Sequence, residues 1–117
     1  MDDREMLELA AKAAGIEWYG YFSDDLTGRL FFDIGVDEVV AWNPLDDDGD
    51  AWRLAVKLNI WPVRVFSPKN HPDVIRVQKG SEYWTEIAEE EIFYDPLAAT
   101  RRAIVKAAAE MGKEKND

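Results

Sequence analysis

Apolar residues recur at helical spacing in three segments of the chain, and residues that begin or end helices flank each segment. The first helix is predicted over residues 2–14, because Asp2 and Glu5 form a capping-box pattern and Gly15 follows the last turn. Residues three or four positions apart give this helix one apolar face that should turn toward the core, formed by Met6, Leu7, Ala10 and Ala14.

The second helix is predicted over residues 48–58. Asp47 or Asp48 can cap it, and Asp50 adds negative charge to its first turn, where the helix dipole favours an acid. Its apolar stripe consists of Ala51, Leu54, Ala55 and Leu58.

The third helix is predicted over residues 96–111, with Asp95 as its cap, Pro96 at its first position and Gly112 at its end. Residues 113–117 should fray. One side of this helix collects Leu97, Thr100, Ile104, Ala107, Ala108 and Met111.

Runs rich in branched and aromatic residues predict extended segments between the helices. They cover residues 17–22, 29–34, 38–41, 63–67, 74–78 and 83–88. Ile75 and Val77 alternate with polar neighbours, as in a sheet with one covered face. The order of elements predicts an α+β fold, in which three helices pack against a mostly antiparallel sheet of four or five strands. Residues 1–112 should form one domain.

Composition narrows the class of protein. A chain of 117 residues with 47% hydrophobic residues is large enough for one folded core. The formal net charge is -10, of which residues 1–60 carry -9. Such acidity disfavours direct binding to nucleic acid or to anionic membranes, and favours a partner with a basic surface. The chain has no cysteine, begins without the pattern of a secretory signal and contains no membrane-length apolar run, which predicts a soluble intracellular protein.

The residues that could carry chemistry are better understood as parts of helix ends and loops. Asp46, Asp48 and Asp50 match the first ligand positions of an EF-hand loop, but Ala51 and Lys57 stand where that loop requires Gly and Glu. The single histidine, His71, has no neighbouring catalytic pattern and should face solvent in a loop.

The remaining charged clusters are interpreted as solvated surfaces, the three acids at 89–91 as a strand end and Arg101, Arg102 and Lys106 as a helix face. The sequence therefore predicts a protein that is not an enzyme, with no catalytic residues, no cofactor and no metal ion.

Five tryptophans are many for a chain of this length. Core packing should account for three or four of Trp18, Trp42, Trp52, Trp61 and Trp84. Tryptophan also anchors protein interfaces. A tryptophan exposed beside the acidic cluster would therefore be the sharpest clue to a binding site that the chain offers.

Three segments resemble a known family. Residues 42–58 are similar to the central motif of small phage and prophage proteins with the phage ABA sandwich domain. Residues 95–110 look like the C-terminal helix of the same group, and residues 6–15 like its start. The resemblance implies an α/β/α layered sandwich with helices on both sides of the sheet. It also implies a phage or prophage origin, and it brings no established activity.

Together these features predict a small acidic phage-encoded protein of the host cytoplasm that inhibits or redirects a host protein. The expected target has a basic surface, such as a CRISPR or restriction component, which carboxylates could occupy in place of phosphates. The residues expected to contact it are Asp46, Asp47, Asp48 and Asp50, with Asp24 and Asp25 as a second group. The alternative is an accessory or virion-associated structural protein whose acidity only keeps it soluble. The oligomeric state is left open.

Overall fold

Residues 1–23, 29–80 and 85–115 are described by a computed structural model of the chain. In chain order, its elements are α1 (Asp3–Ala14), β1 (Gly20–Ser23), β2 (Leu30–Asp33), β3 (Ala41–Trp42), α2 (Asp48–Leu58), β4 (Ile60–Val65), β5 (Val74–Lys79), β6 (Thr85–Glu91) and α3 (Pro96–Glu114). The predicted α+β class with three helices is confirmed.

The first two helices begin and end where local sequence signals place them. The carboxylate of Asp2 accepts a hydrogen bond from the Glu5 backbone N–H at 2.8 Å, and Gly15 closes α1 in the left-handed conformation. Asp47 caps α2 by accepting from the Asp50 N–H at 2.9 Å, and Asn59 ends that helix with φ of 55°. These contacts satisfy the backbone groups that a helix end leaves without a partner.

The third helix is longer than predicted, because Gly112 does not end it. The helix continues to Glu114, and Gly112 lies buried against α1. A Cβ atom at this position would lie 2.0 Å from the backbone oxygen of Leu9. Glycine is therefore used here for the close approach of two helices and not as a helix stop.

The strands form two separate antiparallel sheets, β1-β2-β3 and β4-β5-β6. The prediction of one sheet with four or five strands was wrong. The first sheet ends after two residues of β3, because the Asn43–Pro44 turn leads directly into α2, and the second sheet begins only after that helix. Asn59 and Ile60 make this transition without a longer loop.

The α/β/α layering expected from the family resemblance is not matched. α3 packs on the second sheet and α1 packs on α3. The inner face of the first sheet contributes Phe32 and Trp42 to the same buried core. The core residues predicted on α1 are all buried, as are Ala51, Leu54 and Ala55 on α2.

Two strands of the second sheet differ from their predicted limits. β4 starts at Ile60 and contains Pro62, which an edge strand tolerates because its outward side needs no ladder hydrogen bond. β6 continues through Glu91, so the three acids at 89–91 are the last three residues of the strand instead of following it. No helix in the described parts of the chain is both long and apolar enough to cross a bilayer.

Candidate functional site

The acidic segment 46–50 is organised by the buried side chain of Asn43. Its Oδ1 accepts from the Leu45 N–H at 2.8 Å, and its Nδ2 donates to the Leu30 backbone oxygen and to Asp46 Oδ2, the latter at 3.1 Å. Its backbone oxygen accepts from the N–H groups of Asp46 and Asp47, at 3.2 and 2.9 Å. One amide side chain thus fixes the turn between β3 and α2 against β2.

Two of the four candidate aspartates accept hydrogen bonds from the backbone and so fix the local fold. Asp47 is the cap of α2 and is itself exposed. Asp50 is only 9% exposed; its Oδ2 accepts from the Asn43 N–H at 3.0 Å and its Oδ1 from Arg53 Nη2 at 2.7 Å. A carboxylate held this way positions the turn, and it presents little charge to a partner.

The carboxylates of the other two aspartates accept hydrogen bonds from side chains. Asp46 is exposed, and among the described residues its carboxylate accepts one hydrogen bond, from Asn43 Nδ2. The Asp48 side chain is 63% exposed and pairs with Arg101 Nη1 at 2.7 Å. Arg101 also donates from Nε to the Leu45 backbone oxygen at 2.8 Å, so α3 is tied to the start of α2. The second predicted group, Asp24 and Asp25, lies outside the described residues.

Trp52 is exposed beside this acidic segment. It stands one helical turn after Asp48 on the same face of α2, and 54% of it is accessible to solvent. Its ring meets the ring of Trp61 edge-on, with 5.6 Å between centroids. The exposed tryptophan next to the acids, which the sequence named as a clue to a binding site, is therefore present.

An apolar cleft of about 260 Å³ opens next to Trp52, between α2, α3 and β4. Asp48 and Arg101 stand among its lining residues, which are otherwise Ala51, Trp52, Pro62, Leu97, Thr100 and Ile104. Leu97 is 62% exposed, so the third helix does not bury this end of its predicted side. Val56, one turn beyond Trp52, extends the exposed apolar surface on α2.

The other tryptophans are less buried than predicted. Trp42 is in the core at 4% exposure, whereas Trp61 is half-buried and Trp18 reaches 36%. Trp84 lies outside the described residues. Of the four tryptophans within the described residues, core packing accounts fully for Trp42 alone.

The other residues that could carry chemistry either lie apart from one another or form ion pairs within the fold. His71 is exposed in the loop between β4 and β5, as predicted. Glu90 accepts from Lys106 Nζ at 2.8 Å, and Arg102 pairs with Asp3 at 3.2 Å, so part of the basic helix face is neutralised within the fold. Among the described residues, no group of three His, Asp or Glu side chains is arranged to hold a metal ion.

The loop that carries His71 is closed by Asp73. Asp73 Oδ1 accepts from the Ser67 N–H at 2.9 Å, and Oδ2 accepts from Arg64 Nη2 at 3.0 Å. The backbone hydrogen bond, followed by the one from Arg64, lowers the pKa of the Asp73 carboxyl from its ordinary value, because both favour the charged form.

Comparison of the chain with protein-family models, curated proteins and solved structures gives no match.

Proposed function

We propose that this chain is a binding protein that engages a partner with a basic surface through the cleft beside Trp52. The observation that carries the proposal is the exposure of Trp52 on the same helix face as Asp48, at the edge of an apolar cleft. Tryptophan is among the residues that contribute most to protein interfaces, and here it is left accessible instead of being packed in the core.

The dimensions of the cleft favour a protein partner over a small substrate. Its volume of about 260 Å³ is below the range of roughly 300–1,000 Å³ in which small-molecule sites fall. It suits one protruding side chain of a partner, with Trp52, Val56 and Leu97 providing apolar contact around it. Clustered exposed apolar residues of this kind are typical of interaction surfaces.

The acids contribute unequally to the proposed interface. Asp46 and Asp48 offer carboxylates to a cationic partner, whereas the carboxylate of Asp47, which is also exposed, caps α2 and the buried Asp50 holds the turn. Charges at the rim of an interface act mainly on the association rate and on the choice of partner, while a desolvated aromatic anchor supplies affinity. Trp52 should therefore determine how long the complex lasts, and the two exposed aspartates how fast it forms.

The proposal includes a phage origin and a host target, such as a component of a CRISPR or restriction system. Support for these two elements comes from the net charge of -10 and from the sequence resemblance of residues 42–58. The second candidate is an accessory or virion-associated protein whose acidity only keeps it soluble, and the charge of residues 1–60 is compatible with it as well.

The test starts with capture of host proteins on the immobilised chain, followed by identification of the partner, calorimetry for the affinity and stopped-flow kinetics for the association rate with the purified partner. Trp52→Ala should weaken binding by about 2 kcal/mol or more, as for an interface anchor. Asp46→Asn and Asp48→Asn should slow association and reduce its dependence on salt. Loss of the Asp48–Arg101 ion pair should cost at most about 1 kcal/mol of folding stability, so the variants remain folded.

Matched controls separate this site from general acidity and general apolar exposure. Phe66→Ala removes an aromatic side chain that is 76% exposed outside the cleft, and Glu17→Gln removes an exposed acid outside the cluster. Equal effects of Trp52→Ala and Phe66→Ala would place the contact elsewhere. A chain that captures no host protein at low salt supports the accessory role instead.

A further inference from the structure

We infer that the chain forms a two-fold dimer in which the loop 34–40 of each copy enters an apolar cavity of the other. The inference goes beyond the proposed function and uses a different surface from the cleft beside Trp52. It rests on the complementarity of two neighbouring features of the described structure, a rigid acidic loop with exposed valines and an apolar cavity with basic residues among its lining.

The loop is held in one conformation by Asp33. Its Oδ1 accepts from the N–H groups of Gly35 and Val40, at 3.0 and 3.1 Å, and the Ile34 N–H donates to the Val40 backbone oxygen at 3.0 Å. A Cβ at Gly35 would lie 1.8 Å from the backbone oxygen of Glu38, so the turn requires glycine. A loop fixed in this way loses little conformational entropy on binding.

The tip of the loop is exposed to solvent. Val36 is 81% exposed and Val39 is 67% exposed. Between them, Asp37 and Glu38 form no ion pair and accept no side-chain hydrogen bond from the described residues. The loop therefore presents two valines and two free carboxylates to solvent on a preformed support.

The cavity has the complementary character. It measures about 380 Å³ and lies between the first sheet and α2, with Trp42 and Leu54 among its buried apolar walls. Asp50, Arg53 and Lys57 also line it. Arg53 is paired with Asp50, but Lys57 has no ion-pair partner among the described residues. An apolar cavity with an unpaired cation fits an apolar segment that carries acids.

A second copy of the chain fits both features at once. Loop and cavity share Ile34 and Val40, so they are neighbours on one surface. A two-fold axis between neighbouring, complementary patches forms the same contact twice. The acids of each loop then meet Lys57 and Arg53 of the other copy. These short-range pairs must overcome the mutual repulsion of two chains of net charge -10, which salt near 0.15 M screens beyond about 8 Å.

The test is analytical ultracentrifugation at this salt concentration, with the full chain at up to about 1 mM, the range that reveals weak association. The wild-type chain should reach twice its monomer mass of 13.4 kDa. Glu38→Lys and Lys57→Glu should each weaken the dimer about 100-fold, because each reversal disrupts two symmetric contacts. In a mixture of the two variants, the new lysine in the loop of one chain meets the new glutamate in the cavity of the other. The second contact keeps the native pair of Glu38 and Lys57, so heterodimers should form again.

Glu17→Lys and Lys69→Glu are matched controls, since they make the same changes of net charge at exposed positions outside the loop and the cavity. They should leave the dimer unchanged, and circular dichroism checks that every variant is folded. A wild-type chain that stays monomeric at about 1 mM overturns the inference, as does a mixture of the two reversal variants that fails to associate. Binding of dodecanoate to a monomer, lost in Lys57→Glu, would assign the cavity to a small anionic ligand and also overturn it.

Discussion

Replacing Gly112 by alanine sets two physical effects against each other. Alanine in a helix interior is about 1 kcal/mol more favourable than glycine, so helix propensity alone predicts a more stable protein. In the folded chain, however, the added Cβ would lie 2.0 Å from the Leu9 oxygen, a backbone atom that cannot rotate away. Relief requires α1 and α3 to separate along their contact.

The steric effect should win. Overpacking of a well-packed core typically costs about 1–3 kcal/mol, and here it adds to a contact between the two helices that frame the core. We expect Gly112→Ala to lower the free energy of unfolding by about 1–3 kcal/mol. For a domain of this size, each kcal/mol should lower the melting temperature by about 4 °C. Urea unfolding followed by circular dichroism measures the change in free energy directly.

Gly49→Ala is the matched control, because it is also a helical glycine. A Cβ there meets only side-chain atoms, Asp47 Oδ1 at 3.1 Å and the Arg53 guanidinium at 3.2 Å, which can adjust. Its stability should stay the same or rise by up to about 1 kcal/mol, as helix propensity alone predicts. A neutral or stabilising effect of Gly112→Ala would contradict the close contact between α1 and α3.

Three further substitutions test the local structure of the site and of the loop that carries the histidine. Asp47→Ala should cost about 1 kcal/mol in chemical unfolding, whereas Asp47→Asn should retain most of that stability because asparagine also caps helices. Asn43→Ala should cost about 1–3 kcal/mol, since buried backbone groups lose their partner; an unchanged urea midpoint would contradict the network. Asp73→Asn should destabilise the chain at neutral pH. The stability that charged Asp73 provides is present above its ordinary pKa of 3.8 and is lost as the pH falls through its lowered pKa, so melting curves of variant and wild type should converge in acid.

The parts of the fold that can be predicted from the sequence are those that depend on residues close together in the chain. Both ends of α1 and α2 rest on contacts within a few positions, such as the hydrogen bond between Asp2 and Glu5. The end of α3 depends instead on a distant contact with Leu9, and a glycine at such a position carries the same local signal as a helix stop. The division into two sheets is likewise non-local, since strand lengths do not determine which strands pair.

The site shows the same limit. The spacing of apolar residues along a helix does not distinguish an exposed tryptophan from a buried one. Trp52 lies next to the buried stripe that includes Ala51 and Leu54, so its place in the sequence does not show that it is exposed. Its exposure depends on how α3 and β4 approach α2 and leave a cleft between them. The sequence indicates that a tryptophan exposed beside the acids would be a clue to a site. It does not show which tryptophan is exposed.

The four aspartates in residues 46–50 carry the same formal charge, and their neighbours give them different roles. A carboxylate near unsatisfied backbone N–H groups accepts from them, as Asp47 does at the helix start and Asp50 does beside Asn43; of these two, only Asp50 is buried. The carboxylates of Asp46 and Asp48 accept from side chains, and both residues are exposed. Two carboxylates beside an exposed indole are too few to imitate a row of phosphates. In the proposed complex they would guide a basic partner toward the cleft, where burial of Trp52 would supply the affinity. Binding through this surface should therefore keep most of its affinity at high salt, whereas an interface built on a phosphate-like array would lose it.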